Sequence, residues 1–275
     1  MTENFLYPSK AEYRISELTL DSLSNETKAN VSRWYAEMMI KEFLSEYFDD
    51  QKYKKESLNY LIDKLKNKIS EEMINSLMLI KDFGDKASHY DPDDKISRKN
   101  SQKAVDEAKN LYELIILDVL KKKSLYFHPD RSTLLSVLLP NTRVSIYTKL
   151  IDFESRDIDQ GLLKKWCLAC VKNGQSNKAI NRLNQLKKKE LISNASYTER
   201  FNDIKTIKYQ MKNDNLPIAK NRSDFARNLN DVLNNVLSEE SIGRNDDLIA
   251  VLKSMAENVV PSEMKHYKGM QIFAS

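Results

Sequence analysis

Apolar side chains recur every three or four positions through most of this chain, and the polar gaps between those runs are short. Residues 24–48, SNETKANVSRWYAEMMIKEFLSEYF, open on cap-type residues. They place Val31, Trp34, Tyr35, Met38, Met39, Leu44 and Tyr47 on one stripe of a long helix. A polar loop, 49–55, leads to a second helix over 57–69 with Leu58, Leu61, Ile62 and Leu65 on its inner face. The run SEEMINSLMLIKDF, 70–83, begins with Ser70 and Glu72 where a cap and an acidic first turn favour initiation, and turns Met73, Leu77 and Ile80 inward. A loop over 90–100, anchored by Pro92, precedes a fourth helix over 101–123. That helix buries Val105, Ala108, Leu111, Tyr112, Ile115 and Val119 and closes on three lysines that suit the negative end of its dipole.

The pattern resumes with a short apolar helix bracketed by Pro129 and Pro140, then helices near 143–154, 159–173, 176–190, 196–213, 222–239 and 244–257. Asn173-Gly174 and the Asn-Asp-Asn-Leu-Pro run at 213–217 mark breaks. Only five glycines and six prolines occur in 275 residues, too few for the many turns of a sheet-rich fold. The fold class expected is all-α, in two domains, 1–124 and 125–275.

Charge divides the halves. Residues 1–125 carry 21 basic and 23 acidic side chains, and residues 126–275 carry 23 basic and 17 acidic. The second half is therefore the better partner for a polyanion. No run of about 18 apolar residues is present, so no membrane partner is expected. The N-terminus MTENFLYPSK lacks a basic region followed by an apolar core. Two cysteines make no disulfide framework, and the expected location is cytoplasmic.

One stretch of the first half stands out: IKDFGDKASHYDP, 80–92, with Gly84, Ala87, Ser88, His89, Asp91 and Pro92. The order of a long helix carrying Trp34 and Glu37, a short helix LNYLIDKL, a third helix ending in this stretch and a closing amphipathic helix resembles the HEPN-like four-helix domain of many prokaryotic proteins, over about residues 20–123. The resemblance implies an antiparallel four-helix bundle, a homodimer and a setting in bacterial defence, toxin–antitoxin or mobile-element systems, where such domains engage RNA or nucleotides. Active members use an arginine separated from a histidine by four to six residues. Here those positions hold Asp82, Phe83 and Gly84, and a lysine such as Lys81 or Lys86 lacks the planar fork of arginine. His89 is the one candidate catalytic residue, as acid or base in a metal-independent ribonuclease. The stronger expectation is architectural: Gly84 lets backbones approach, and His89 finishes a helix.

Two other motifs have plain structural readings. His128-Pro129-Asp130 matches the triplet of co-chaperone J-domains, but the apolar TLLSVLLP that follows fits a plain inter-domain turn. Cys167-Leu168-Ala169-Cys170 lacks a second ligand pair and a βαβ setting, so a buried helix face is expected. With no glycine-rich phosphate loop and no paired-histidine motif, neither cofactor nor metal is expected.

The strongest binding signal is LLKKWCLACVKNGQSNKAINRLNQLKKK, 162–189, which contains no Asp or Glu. Its Lys164, Lys165, Lys172, Lys178, Arg182, Lys187, Lys188 and Lys189 are candidate contacts for RNA or DNA. Helix, Asn-Gly turn, helix resembles a helix-turn-helix reader, and a diverged second copy of the first bundle would read similarly. The segment 221–237 offers a dimer surface. The functional expectation is a non-catalytic nucleic-acid- or nucleotide-binding protein, with a His89 ribonuclease and a protein-interaction scaffold as the alternatives.

Overall fold

A computed structural model describes residues 5–48, 51–89, 95–122, 129–153, 158–213, 215–216 and 218–263. Every regular element among them is a helix. None of these helices is long and apolar enough to cross a membrane. The chain separates into two compact units, residues 6–122 and residues 123–275 together with the first five.

The first unit starts with short turns that the periodicity did not indicate: a 3-10 turn at Ser9–Ala11, α1 at Glu12–Ile15 and another 3-10 turn at Ser16–Leu18. They bury Leu6, Tyr7, Ala11, Ile15 and Leu18. Helix α2 spans Asn25–Phe43, α3 Leu58–Leu65, α4 Glu71–Ser88 and α5 Arg98–Lys122. Serine oxygens start most of them: Ser24 accepts from Thr27 N at 3.1 Å, Ser57 from Tyr60 N at 3.4 Å, Ser70 from Met73 N at 3.4 Å and Ser97 from Asn100 N at 3.2 Å. Each bond satisfies one of the orphan donors of a first turn.

Helices α2, α4 and α5 pack on one another, and α3 lies against α2 and α4. Asn30 near the start of α2 donates to Ala87 O at the end of α4, so these two run antiparallel. Asn25 donates to Ile96 O just before α5, and Tyr47 beyond the end of α2 donates to Asp118 near the end of α5, so α2 and α5 run parallel. The core is thus three long helices with a short fourth. Helix α3 stops at Leu65 rather than 69 because Lys66 leaves helical geometry and Asn67 adopts φ +66°.

The apolar stripe of α2 is only partly inside. Val31, Tyr35, Met39 and nearby Leu44 are buried, whereas Trp34, Met38 and Tyr47 are half-covered. Trp34 rests instead under the N-terminal turns, edge-on to Tyr13 at 5.4 Å and beneath the Arg14 guanidinium at 4.9 Å.

The second unit comprises α6 (Pro129–Ser136), α7 (Pro140–Phe153), α8 (Gln160–Lys172), α9 (Ser176–Lys188) and α10 (Asn194–Lys212). Then come α11 (Arg222–Asp231), running into one π-helical turn at Val232–Val236, α12 (Glu239–Arg244) and α13 (Asp246–Ala256). Pro129 and Pro140 each open a helix, where a missing N–H costs nothing. The helices expected over 222–239 and 244–257 are divided differently, because buried Asn245 breaks the chain between α12 and α13. Its amide donates to Ser241 O at 2.7 Å and accepts from Nε of the fully buried Arg131 at 3.0 Å. The Asp130 carboxylate meets Arg244 at 3.3 Å, so this member of the His-Pro-Asp triplet sits in a structural ion pair. His128 lies outside the described residues.

Candidate functional site

Four helices of the second unit, α7 to α10, pack in sequence around Trp166, Cys167 and Cys170. Asp159 starts α8 by accepting from Leu162 N at 2.6 Å. Helix α8 then buries Leu162, Leu163, Trp166, Cys167, Ala169, Cys170 and Val171. It ends in two reverse bonds, Gln175 N to Cys170 O at 2.7 Å and Gly174 N to Val171 O at 2.9 Å, with Gly174 at φ +73°. That left-handed residue turns the chain back within three residues, and α9 buries Ala179, Leu183 and Leu186. The apolar stripes face inward, so the lysines of the acid-free segment lie on the outer sides of the helices, with Lys172 half-buried.

The eight basic residues nevertheless fall into separate groups. Lys178 and Arg182 line a cavity of about 540 Å³ with Thr148, Asp152, Trp166 and Gln185. There the Trp166 indole N–H donates to Thr148 Oγ1 at 2.8 Å, and Arg182 pairs with Asp152 at 2.8 Å. Lys187, Lys188 and Lys189 are exposed at the end of α9, with the Lys187 ammonium 4.6 Å above the Tyr197 ring. Tyr197 stacks on Phe201 at 5.9 Å, and Lys205 lies 4.6 Å over Phe201. This mixed aromatic and basic strip on α10 follows a four-residue spacing, Tyr197, Phe201, Lys205, Tyr209. The spacing is present in the sequence, masked by the acids Glu199 and Asp203 between its members. Lys164 is exposed on α8.

Lys165 and Lys172 form the third group, seven residues apart on one side of α8. Burial of its ammonium, together with the neighbouring Lys164 and Arg143, holds Lys165 below the ordinary lysine range, although the residue as a whole is exposed. Burial, then Arg143 and Lys165, bring Lys172 down to about 8. Arg143 on α7 is itself lowered by burial. Sequence reasoning missed Arg143, which lies outside the acid-free window and joins it only through the packing of α7 on α8.

Burial pushes the Cys167 thiol up to about 12 and the Cys170 thiol up to about 11. Both cysteines are free and face the core, as two protonated apolar groups would. No group of three or more His, Cys, Asp or Glu among the described residues is placed to hold a metal ion.

In the first unit, α4 runs unbroken through Gly84 to Ser88, and His89 follows as its exposed C-cap with extended backbone. Gly84 is buried against α2. A Cβ there would lie 2.5 Å from Arg33 Cβ and 2.6 Å from Arg33 Cδ. Ser88 donates to Asn30 Oδ1 at 2.8 Å, so the small residues of the motif form the α2–α4 contact. Lys81, considered as a partner for His89, is bound to Asp85 at 2.9 Å and Asp82 at 3.3 Å, which raises its pKa. Arg33 Nε meets the other Asp85 oxygen at 3.0 Å. Asp85 thus holds Lys81 of its own helix and Arg33 of α2.

Residues 23–134 match the model of a family described as a domain of unknown function, DUF4145. No curated protein and no solved structure matches the chain.

Proposed function

We propose that this chain is a non-catalytic nucleic-acid-binding module, with an HEPN-like N-terminal domain and the α8–α9 hairpin as its polyanion-binding face. One observation carries the reading. Between Leu162 and Lys189 there is no acidic residue, and the fold turns Lys164, Lys165, Lys178, Lys187, Lys188 and Lys189 to solvent. Such a face draws in phosphates through counterion release without sequence selection. The adjoining Tyr197 and Phe201 offer ring planes on which bases of a single strand can stack.

The test is fluorescence anisotropy with labelled single-stranded RNA and DNA across a salt series. Wild type is expected to bind, with affinity falling steeply as salt rises. Replacing Lys187, Lys188 and Lys189 together by Glu is expected to weaken binding by more than about tenfold and to flatten the log–log salt slope by about two to three units. The reading fails if neither strand binds at low salt, or if the triple variant binds as wild type does.

A further inference from the structure

The indole–threonine bond between Trp166 and Thr148 fixes α7 against α8, and the short connection from Phe153 to Gln160 makes the pair antiparallel. That register sets the first turn of α7 beside the last turns of α8. Arg143 occupies the α7 position and Lys172 the α8 position, with Lys165 two turns back on the same side. Arg143 is only 8% exposed, and its buried Nε has no hydrogen-bond partner. It also stands in a helix's first turn, where the dipole disfavours a cation. Lys165 and Lys172 make no ion pair with any described residue, and Lys164 adds to the same field. A buried guanidinium with an unused donor, at the wrong helix pole and beside two lysines, is costly unless something negative joins it.

We propose that Arg143, Lys165 and Lys172 form a discrete site for a phosphate monoester. Arginine supplies the buried, directional donor, and the two lysines close over the remaining oxygens. The charge count favours a monoester, which carries about two negative charges at neutral pH, over a backbone diester, which carries about one. A diester leaves two of the three cations unmatched. Burial first, and repulsion from the neighbouring cations second, lower these lysines, and an arriving dianion opposes both by giving the buried charge a partner.

The monoester could be free or could end a nucleic-acid strand, and calorimetric titration at constant ionic strength separates the two. Inorganic phosphate is expected to bind wild type and to raise the titration of Lys172, followed by NMR of labelled lysine, from about 8. An oligonucleotide bearing a 5′-phosphate is expected to bind about tenfold tighter than its 5′-hydroxyl twin if strand ends are the source, and equally if free phosphate is. Arg143→Gln, and independently Lys165→Gln on the exposed side should the buried variant fold poorly, are expected to lose phosphate binding. The site is overturned if phosphate does not bind wild type, or if Lys172→Gln and Lys165→Gln bind phosphate as wild type does. Oligonucleotide binding that survives such a failure, and still depends on Lys187 to Lys189, leaves the nucleic-acid reading standing. Phosphate binding without oligonucleotide binding does the reverse.

Discussion

At Gly84 two opposing effects can be weighed by number. A glycine inside a helix is worse than alanine by about 1 kcal/mol, so propensity alone makes Gly84→Ala stabilising. The added methyl would however lie 2.5 Å from Arg33 Cβ, an atom fixed to the α2 backbone that cannot swing aside. The helices would have to part, and overpacking of that kind costs about 1–3 kcal/mol. The cost outweighs the gain, and we expect Gly84→Ala to lower stability by up to about 2 kcal/mol in urea unfolding. Adding Arg33→Ala removes Cγ and Cδ but leaves the closest atom, so it should restore only part of the loss. A stabilised Gly84→Ala would show that α2 and α4 do not approach here. The glycine in the motif was readable as a packing residue from sequence. Its partner was not, because Arg33 is 51 positions away and ordinary surface arginines look the same in a string of letters.

Among the elements, helix starts were the most legible feature, and helix ends the least. Ser70 announced α4, and the apolar spacing located α3, α5, α8 and α9, because capping and burial are local or periodic. The stops depend on single backbone conformations. The turn from α8 to α9 uses Gly174 at φ +73°, whereas α9 ends by the same pair of reverse bonds, Leu191 N to Leu186 O and Glu190 N to Lys187 O, with a glutamate at φ +57°. Nothing in the sequence marks Glu190 as the left-handed residue. The two turns therefore predict opposite responses. Gly174→Ala meets no atom within 4 Å, so its cost is conformational alone, about 1 kcal/mol. Glu190→Gly relieves the same strain and should raise stability by about 0.5–1 kcal/mol, net of added unfolded-chain freedom. Paired denaturation curves check both, and equal shifts of one sign would contradict this account of how α9 ends. The candidate site follows the same division. The acid-free window was plain in the composition, but Arg143 enters only through the register of α7 on α8, a tertiary fact with no periodic trace.

For the molecule as a whole, the displaced ionisations fix the shape of its stability against pH. Lys172 titrates near 8 in the folded chain, against 10.5 for an ordinary lysine. Below about 8 both states hold the proton, and the folded one bears the full cost of the buried charge, with repulsion from Arg143 and Lys165 added. Between 8 and 10.5 the unfolded chain binds the more protons, so stability rises with pH, by an amount on the order of 1–3 kcal/mol. Cys167 and Cys170 act oppositely. Their thiols ionise near 9 when unfolded but are held to about 12 and 11 in the fold, so above 9 the unfolded chain sheds protons first and stability falls. Tyr147, pushed up to about 12 from 10.0, steepens that fall. The urea midpoint should therefore climb from neutral pH toward about 9 and decline beyond it. Lys172→Met should remove the climb and leave the decline. Burial is the larger cause of the shift and Arg143 and Lys165 add to it, so a bound phosphate should reduce the climb, by lifting the neutral-pH end of the curve rather than lowering its top. A midpoint that is flat from 7 to 9 in the absence of phosphate would mean that Lys172 is neither buried nor faced by Arg143 and Lys165, and the site proposed on them would fall with the profile.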